Sequence, residues 1–213
     1  MIDRYLLPFQ RALLAPPAAA LASRGVPADR VTIAGFLIGV LALPALSLGW
    51  YKVALALIAA NRIADGLDGA IARKMGPTDR GAFLDIALDF VFYAIVPLGF
   101  ALADPGRNAV AAAVLIAAFI GTGSSFLAFA TIAAKRGLEA ERYPSKGFYY
   151  LGGLTEGSET IAFFAAICLW PQHFPLLALL FAAACWVTTV TRWRMGWVAF
   201  APGKESYRSP TEE

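Results

Sequence analysis

The chain is short of charge. Of its 213 residues only 15% are Asp, Glu, Lys or Arg, against about 25% in ordinary soluble domains. A shortage of that size excludes a disordered segment, a nucleic-acid module and a typical water-soluble enzyme. Cysteine is scarcer still. Cys168 and Cys185 stand singly in apolar runs, without the spacing of a zinc site or a redox pair, and read as buried reduced thiols. The one histidine, His173, falls in a proline-flanked connection and reads as a solvated loop residue. Internal repeats, low-complexity tracts and a second domain are also missing. What the chain has instead is apolar surface: 59% of its residues are hydrophobic and its mean hydropathy is +0.62. These values describe a polytopic membrane protein. Its net charge of +3 then reports orientation and headgroup contact before it reports an acidic partner.

A helix needs about 20 mostly apolar residues to cross a bilayer. Six stretches qualify: 28–49, 52–74, 81–103, 109–134, 148–170 and 174–196. Residues 1–24 lack the cleavage pattern of a signal peptide. Tyr5, Leu6, Leu7, Phe9, Leu13 and Leu14, set among Arg4, Arg11 and Arg24, predict a helix lying in the membrane interface, with a disordered leader as the alternative. The expected fold class is an all-α membrane protein, six transmembrane helices preceded by an N-terminal interfacial amphipathic helix. Lys and Arg number fifteen on one side of this arrangement, with only Lys52 and Arg107 on the other. That imbalance predicts cytoplasmic termini. Pro44, Pro97 and the pair Gly152 and Gly153 predict kinks or close helix approaches.

The second and third stretches carry acids where acids are costly. Asp65 and Asp68 are three residues apart and Asp85 and Asp89 four, so each pair shares one helix face. A single acid near the bilayer centre costs roughly 2.5–3.5 kcal/mol, and four cost on the order of 10 kcal/mol. Arg62 and Arg73 cannot balance four. The short basic connection predicts antiparallel neighbouring helices whose acids face one another near the cytoplasmic surface. Such hard oxygen ligands suit Mg²⁺, Mn²⁺ or Ca²⁺ rather than zinc. Two ions about 3.5–4 Å apart can clamp a diphosphate for in-line displacement at phosphorus. Gly69 and Gly81 are expected to leave space beside the ligand face, Ala72 to keep the wall low, and Arg73 to meet a phosphate or ribose oxygen.

These residues resemble the signature of the CDP-alcohol phosphatidyltransferases, D-x-x-D-G-x-x-A-R followed by G-x-x-x-D-x-x-x-D. It is filled here by Asp65, Asp68, Gly69, Ala72, Arg73, Gly81, Asp85 and Asp89. The connection 74–80 is one residue shorter than the usual gap. The stretch 27–32 is similar to the entry of the family's first span, with Ala28 where Asn is common. The resemblance implies an integral membrane enzyme that transfers a phosphatidyl or phospho-alcohol group from a CDP-linked donor, commonly CDP-diacylglycerol, to an alcohol, releasing CMP. It implies a metal site of Asp65, Asp68, Asp85 and Asp89 holding Mg²⁺ or Mn²⁺, with two ions expected. Asp89 would also be the general base, and Thr32, Asp65, Asp68, Gly69, Ala72, Arg73 and Gly81 would border the nucleotide. The implied partners are the CDP-linked lipid, the alcohol acceptor, the bilayer and a second copy in a homodimer; nucleic acid is not among them. The domain plan is then an N-terminal interfacial helix (1–24), a six-helix transmembrane catalytic domain (25–200) and a cytoplasmic tail (201–213). The expected location is the inner membrane of a bacterium, with the active site at the cytoplasmic leaflet.

Acceptor residues are less sharply indicated. Tyr149, Glu156 and Glu159 of the fifth stretch, with Lys135 and Arg136, are candidates for the acceptor pocket. Glu156 and Glu159 read equally well as an interhelical hydrogen-bond patch with Thr122, Ser124 and Ser125. Glycerol phosphate, serine, inositol phosphate and choline all remain open as acceptors. Two rival functions use the same acids: an intramembrane prenyltransferase acting on a diphosphate, and a non-enzymatic divalent-cation transporter.

Overall fold

The computed structural model describes residues 3–137 and 153–201. Among them run α1 (Asp3–Ser23), α2 (Ala28–Val40), α3 (Ala42–Ser47), α4 (Tyr51–Met75), α5 (Asp79–Ala103), α6 (Pro105–Lys135), α7 (Gly157–Leu169) and α8 (Phe174–Ala199). Local chemistry sets the boundaries. Gly76, at φ +99°, ends α4, and Thr78 restarts the chain as α5 by accepting a 3.0 Å hydrogen bond from the Gly81 N–H. Asp104 caps α6 in the same way, accepting from the Arg107 N–H at 3.2 Å, with Pro105 at the first helical position. The first apolar stretch is two helices broken at Leu41. Pro44 lacks an N–H and its ring crowds the carbonyl four residues back, at Val40.

Among the described residues, four segments are long and apolar enough to cross a membrane: Ala28–Ser47, Asp79–Ala103, Pro105–Lys135 and Pro171–Ala199. Helix α4 matches α5 at 25 residues, but its charged residues lower its hydropathy and keep it out of that set. The fifth stretch departs from expectation. Residues 138–152 lie outside the described residues, 153–156 are not helical, and α7 has 13 residues, too few to cross a core about 30 Å thick. The cause is a capping box, in which Glu156 and Glu159 each bind the other's end of the first turn. Ahead of it, the Thr188 hydroxyl accepts from the N–H groups of Leu154 and Thr155 at 3.1 and 3.3 Å, holding that backbone out of a helix.

Packing places the polar end. Helix α2 lies against both α4 and α5, while the backbones of α4 and α5 stay further apart and their side chains meet between them. They are the neighbours that the short connection predicts, meeting through side chains across a polar gap, as Arg62 of α4 reaches Asp89 and Tyr93 of α5. The α2–α4 contact depends on Gly35, where a Cβ would stand 2.5 Å from the Ala64 Cβ. The Asn61 Nδ2 donates to the Gly35 carbonyl at 2.9 Å and fixes the contact. The apolar core gathers Phe92, Phe100, Phe164 and Phe174, with Phe100 and Phe174 stacked at 4.4 Å. It occupies the C-terminal half of α5 and leaves the acids of α4 and α5 beyond its end. Helix α1 closes one side, burying Leu14 and Ala18 against Ala70 and Ile71. Leu37, Val91, Ile120, Leu180 and Trp197 face outward, an exterior suited to lipid. Cys168 and Cys185 are buried and unbridged.

Gly35→Val is expected to destabilise the protein by about 1–3 kcal/mol through overpacking, seen as a lower apparent melting temperature in detergent. Unchanged melting would contradict the close α2–α4 approach.

Candidate active site

The gap between α4 and α5 is where the acids meet. Asp65, Asp68 and Asp85 each present one carboxylate oxygen, and all three lie within 4.8 Å of one another. Asp68 is 4% exposed, and its Oδ2 has no hydrogen-bond partner among the described residues. An orphaned buried carboxylate oxygen is costly unless something fills its lone pairs. A space of about 10 Å³ bounded by Thr32 and the four aspartates adjoins it, on the order of one water-sized sphere. The donors are all hard oxygens. Orphaned atom, space and donor set fit a divalent cation such as Mg²⁺ or Mn²⁺.

Asp89 stands differently. Its Oδ1 accepts from the Arg62 Nη2 at 2.6 Å, and the same guanidinium lies 3.8 Å from Asp65. The three carboxylates that converge on one point are therefore those of Asp65, Asp68 and Asp85, with Asp89 held beside them by a buried arginine.

Two larger cavities open beside the acids, and both are lined by Asp68, Gly69 and Asp85. One, of about 330 Å³, is bordered by Thr32, Ala72 and Gly81. It thus brings together most of the residues expected around the nucleotide. Gly69 faces open space, the nearest atom to a Cβ there being the Arg73 Nη1 at 3.4 Å. Gly81 is more enclosed, with Asp29 and Thr78 oxygens at 3.1 Å from such a Cβ. The mouth is braced by an ion pair of Asp29 and Arg80 at 2.6 Å. The second cavity, of about 460 Å³, contains Asp65 and Asp89 together with Arg11, Arg73, Glu156 and Arg192. Arg73 thus lines the other cavity from Ala72.

The acceptor candidates divide. Glu156 reaches the larger cavity, but it and Glu159 also form the α7 capping box. Thr122, Ser124 and Ser125 donate to carbonyls three residues back in their own helix. Lys135 and Arg136 are not among the residues lining either cavity. Arg136 donates instead to the Phe200 carbonyl at 3.1 Å. Tyr149 lies outside the described residues. Sequence reasoning missed Gln10, Arg11 and Arg192 as cavity residues. Arg192, one turn beyond Thr188 on α8, donates to the Thr122 carbonyl at 3.0 Å; that spacing was the available signal. Gln10 and Arg11 carried none, because their placement depends on α1 docking at Gly66, where Gln10 and Leu14 leave no room for a Cβ.

Comparison with known proteins converges on one group. The family model of the CDP-alcohol phosphatidyltransferases matches residues 26–200. Inner membrane protein YnjF of Escherichia coli is 55% identical over 90% of this chain and 93% of its own length. The phosphatidylinositol phosphate synthase of Streptomyces avermitilis is 39% identical over 54% of this chain and 49% of its own. The crystal structure of the Mycobacterium tuberculosis phosphatidylinositol phosphate synthase with CDP-DAG bound superposes with a TM-score of 0.64. The two are 25% identical, over 90% of this chain and 96% of that one. A second structure of that enzyme, in complex with manganese and citrate, gives 0.63 at the same identity, over 89% of this chain and 90% of that one.

Replacing Glu156 by Ala is expected to cost about 0.5–2 kcal/mol of stability through loss of the cap, measured by thermal unfolding in detergent. An unchanged melting curve would remove the structural role and leave only a binding one.

Proposed function

The chain belongs to the CDP-alcohol phosphatidyltransferase family, and from that premise we propose that it transfers a phosphatidyl group from CDP-diacylglycerol to an alcohol that carries a phosphate, releasing CMP. The observation that carries this reading is the pair of cavities meeting at Asp68 and Asp85, one poor in basic groups and one containing Arg11, Arg73 and Arg192. A donor and an acceptor can enter by separate cavities and meet at the acids. The relatives named as phosphatidylinositol phosphate synthases support a polyol phosphate as the acceptor, and guanidinium groups suit such a dianion.

In this reading Asp65, Asp68 and Asp85 hold Mg²⁺ or Mn²⁺, a pair of ions being the expectation. When bound, the metal supplies Lewis acidity to the phosphoryl oxygens and the departing CMP. The chain's own residues do the rest. Thr32, Gly69, Ala72 and Gly81 border the CMP half of the donor, and Arg73 lies at the seam where its diphosphate crosses between cavities. Arg11 and Arg192 orient the acceptor. Asp89 takes the proton of the acceptor hydroxyl as that oxygen bonds to the phosphatidyl phosphorus. The phosphorus–oxygen bond to CMP then breaks, in line, without a covalent enzyme intermediate.

The same reading places the protein in a bacterial inner membrane with both termini and the active site on the cytoplasmic side. The distribution of Lys and Arg supports this, as does the description of the Escherichia coli relative. It counts α4 as a span beside the four long apolar segments, puts α1 on the interface, and keeps residues 201–213 as a cytoplasmic tail and a homodimer as the working assembly.

Purified protein given CDP-diacylglycerol and inositol phosphate or glycerol phosphate is expected to release CMP with Mg²⁺ or Mn²⁺ and not with EDTA. Mass spectrometry of the lipid identifies the acceptor. Arg192→Ala should raise the acceptor KM about tenfold or more and leave the donor KM nearly unchanged. Release of CMP that persists in EDTA, or ion flux in liposomes with no CMP at all, would overturn the proposal.

A further inference from the structure

Helix α1 brings Gln10 and Arg11 to the larger cavity from outside the signature, and it is held to the rest of the molecule mainly through α4. Gln10, Leu14 and Ala18 recur at four-residue spacing on one face. Gln10 and Leu14 close on Gly66, where a Cβ would stand 2.6 Å from each, and Ala18 is buried with Ala70 and Ile71. Arg11 lines the larger cavity together with Arg73, near enough for the two guanidinium groups to repel each other. Among the described residues neither takes part in an ion pair. Two neighbouring cations without an acid between them suit a phosphate.

The other face of α1 is apolar and uncovered. Phe9 and Leu13, also four residues apart, are 69% and 65% exposed. Pro16 and Pro17 stand between this segment and Ala18. Neither can donate to the carbonyl four residues back, at Ala12 and Leu13, so the helix is weakest there. The seat at Gly66, Ala70 and Ile71 falls in the C-terminal half of α4, ahead of its basic end at Arg73 and Lys74, the level at which hydrocarbon gives way to headgroups. Apolar side chains exposed at that level face lipid.

We propose that the part of α1 before Pro16 is a lid on the larger cavity that the bilayer itself seats. Phe9 and Leu13 enter the lipid of the cytoplasmic leaflet, and that anchorage keeps Arg11 at the cavity, where it binds the acceptor's phosphate. The proposal rests on the transferase reading and extends it from a cavity residue to the element that delivers it. Without lipid, two large apolar side chains stay in water while Gln10 and Leu14 alone hold the segment across a proline-weakened turn. With lipid, both faces are satisfied at once. A water-soluble acceptor is then held only by protein seated on the membrane that carries its lipid co-substrate.

The test uses the full-length protein in vesicles of phosphatidylcholine and phosphatidylglycerol. Calorimetry with Mn²⁺ present gives the affinity for inositol phosphate or glycerol phosphate, and CMP release is followed separately. A nitroxide on Leu13→Cys, the native cysteines being buried, is expected to collide more with oxygen than with a water-soluble nickel chelate. Phe9→Asp combined with Leu13→Asp is expected to weaken polyol phosphate binding about tenfold or more, as Arg11→Ala does, with donor KM and melting temperature unchanged. Added to Arg11→Ala, the two aspartates should cause no further loss, because the lid acts through Arg11. Should that protein fail to insert, Phe9→Ser with Leu13→Ser decides. Wild-type affinity in the lid variants overturns the proposal, as does a full further loss on the Arg11→Ala background, a nitroxide open chiefly to the chelate, or a wild-type protein that binds neither phosphate. Arg11-dependent binding with no CMP release from any acceptor sinks the transferase reading and leaves the lid. CMP release with wild-type affinity in the lid variants does the reverse.

Discussion

Three carboxylate oxygens within 4.8 Å of one another, in a molecule otherwise mostly apolar, set the terms for everything around them. At an effective dielectric constant of about 20, two like charges about 4 Å apart repel by about 4 kcal/mol. Summed over three pairs, this approaches the whole stability of a typical domain, about 5–15 kcal/mol. Bare anions do not persist under that load. The single guanidinium in their midst, Arg62, is committed chiefly to a fourth acid. Protons or a cation must relieve the repulsion, and the hard-oxygen donor set with the unsatisfied Oδ2 of Asp68 fits a divalent cation.

The fold makes that geometry by keeping two helices apart. Helix α2 lies against both, approaching α4 closely at Gly35, and the gap between α4 and α5 opens into two cavities sharing Asp68, Gly69 and Asp85. The aromatic core around Phe92, Phe100, Phe164 and Phe174 anchors the opposite end. Aromatic packing is concentrated at one end and polar space at the other. A reaction that depends on positioning two substrates about one phosphorus needs that combination.

Much of this was legible in the sequence where the signal was local. Three- and four-residue spacing placed Asp65 with Asp68 and Asp85 with Asp89 on shared faces, while of the two glycines expected to leave space Gly69 is the less crowded and Gly81 is enclosed by Asp29 and Thr78. Helix α4 forms where a span was expected. The signals that failed were those requiring a partner distant in sequence. The short turn between α4 and α5 suggested neighbours with facing acids, which they are, but carried no sign that α2 packs against both. Arg62 and Asp89 are 27 residues apart, and nothing in the spacing says which acid the arginine selects. Arg192 looked like one more cytoplasmic basic residue until α8 packed against α6 and turned it inward. The start of α7 was a different failure. Glu156 and Glu159 are three residues apart, the spacing of a capping box, but a run of apolar and small residues drew the expected helix past its true beginning.

The most direct test of the central claim is anomalous diffraction from crystals of the protein soaked in Mn²⁺ and CDP. The account predicts manganese peaks among the carboxylates of Asp65, Asp68 and Asp85, with the diphosphate bound against them and cytidine in the cavity bordered by Thr32, Ala72 and Gly81. Density for CDP elsewhere, or carboxylates turned to separate protein partners with no anomalous signal between them, would contradict it.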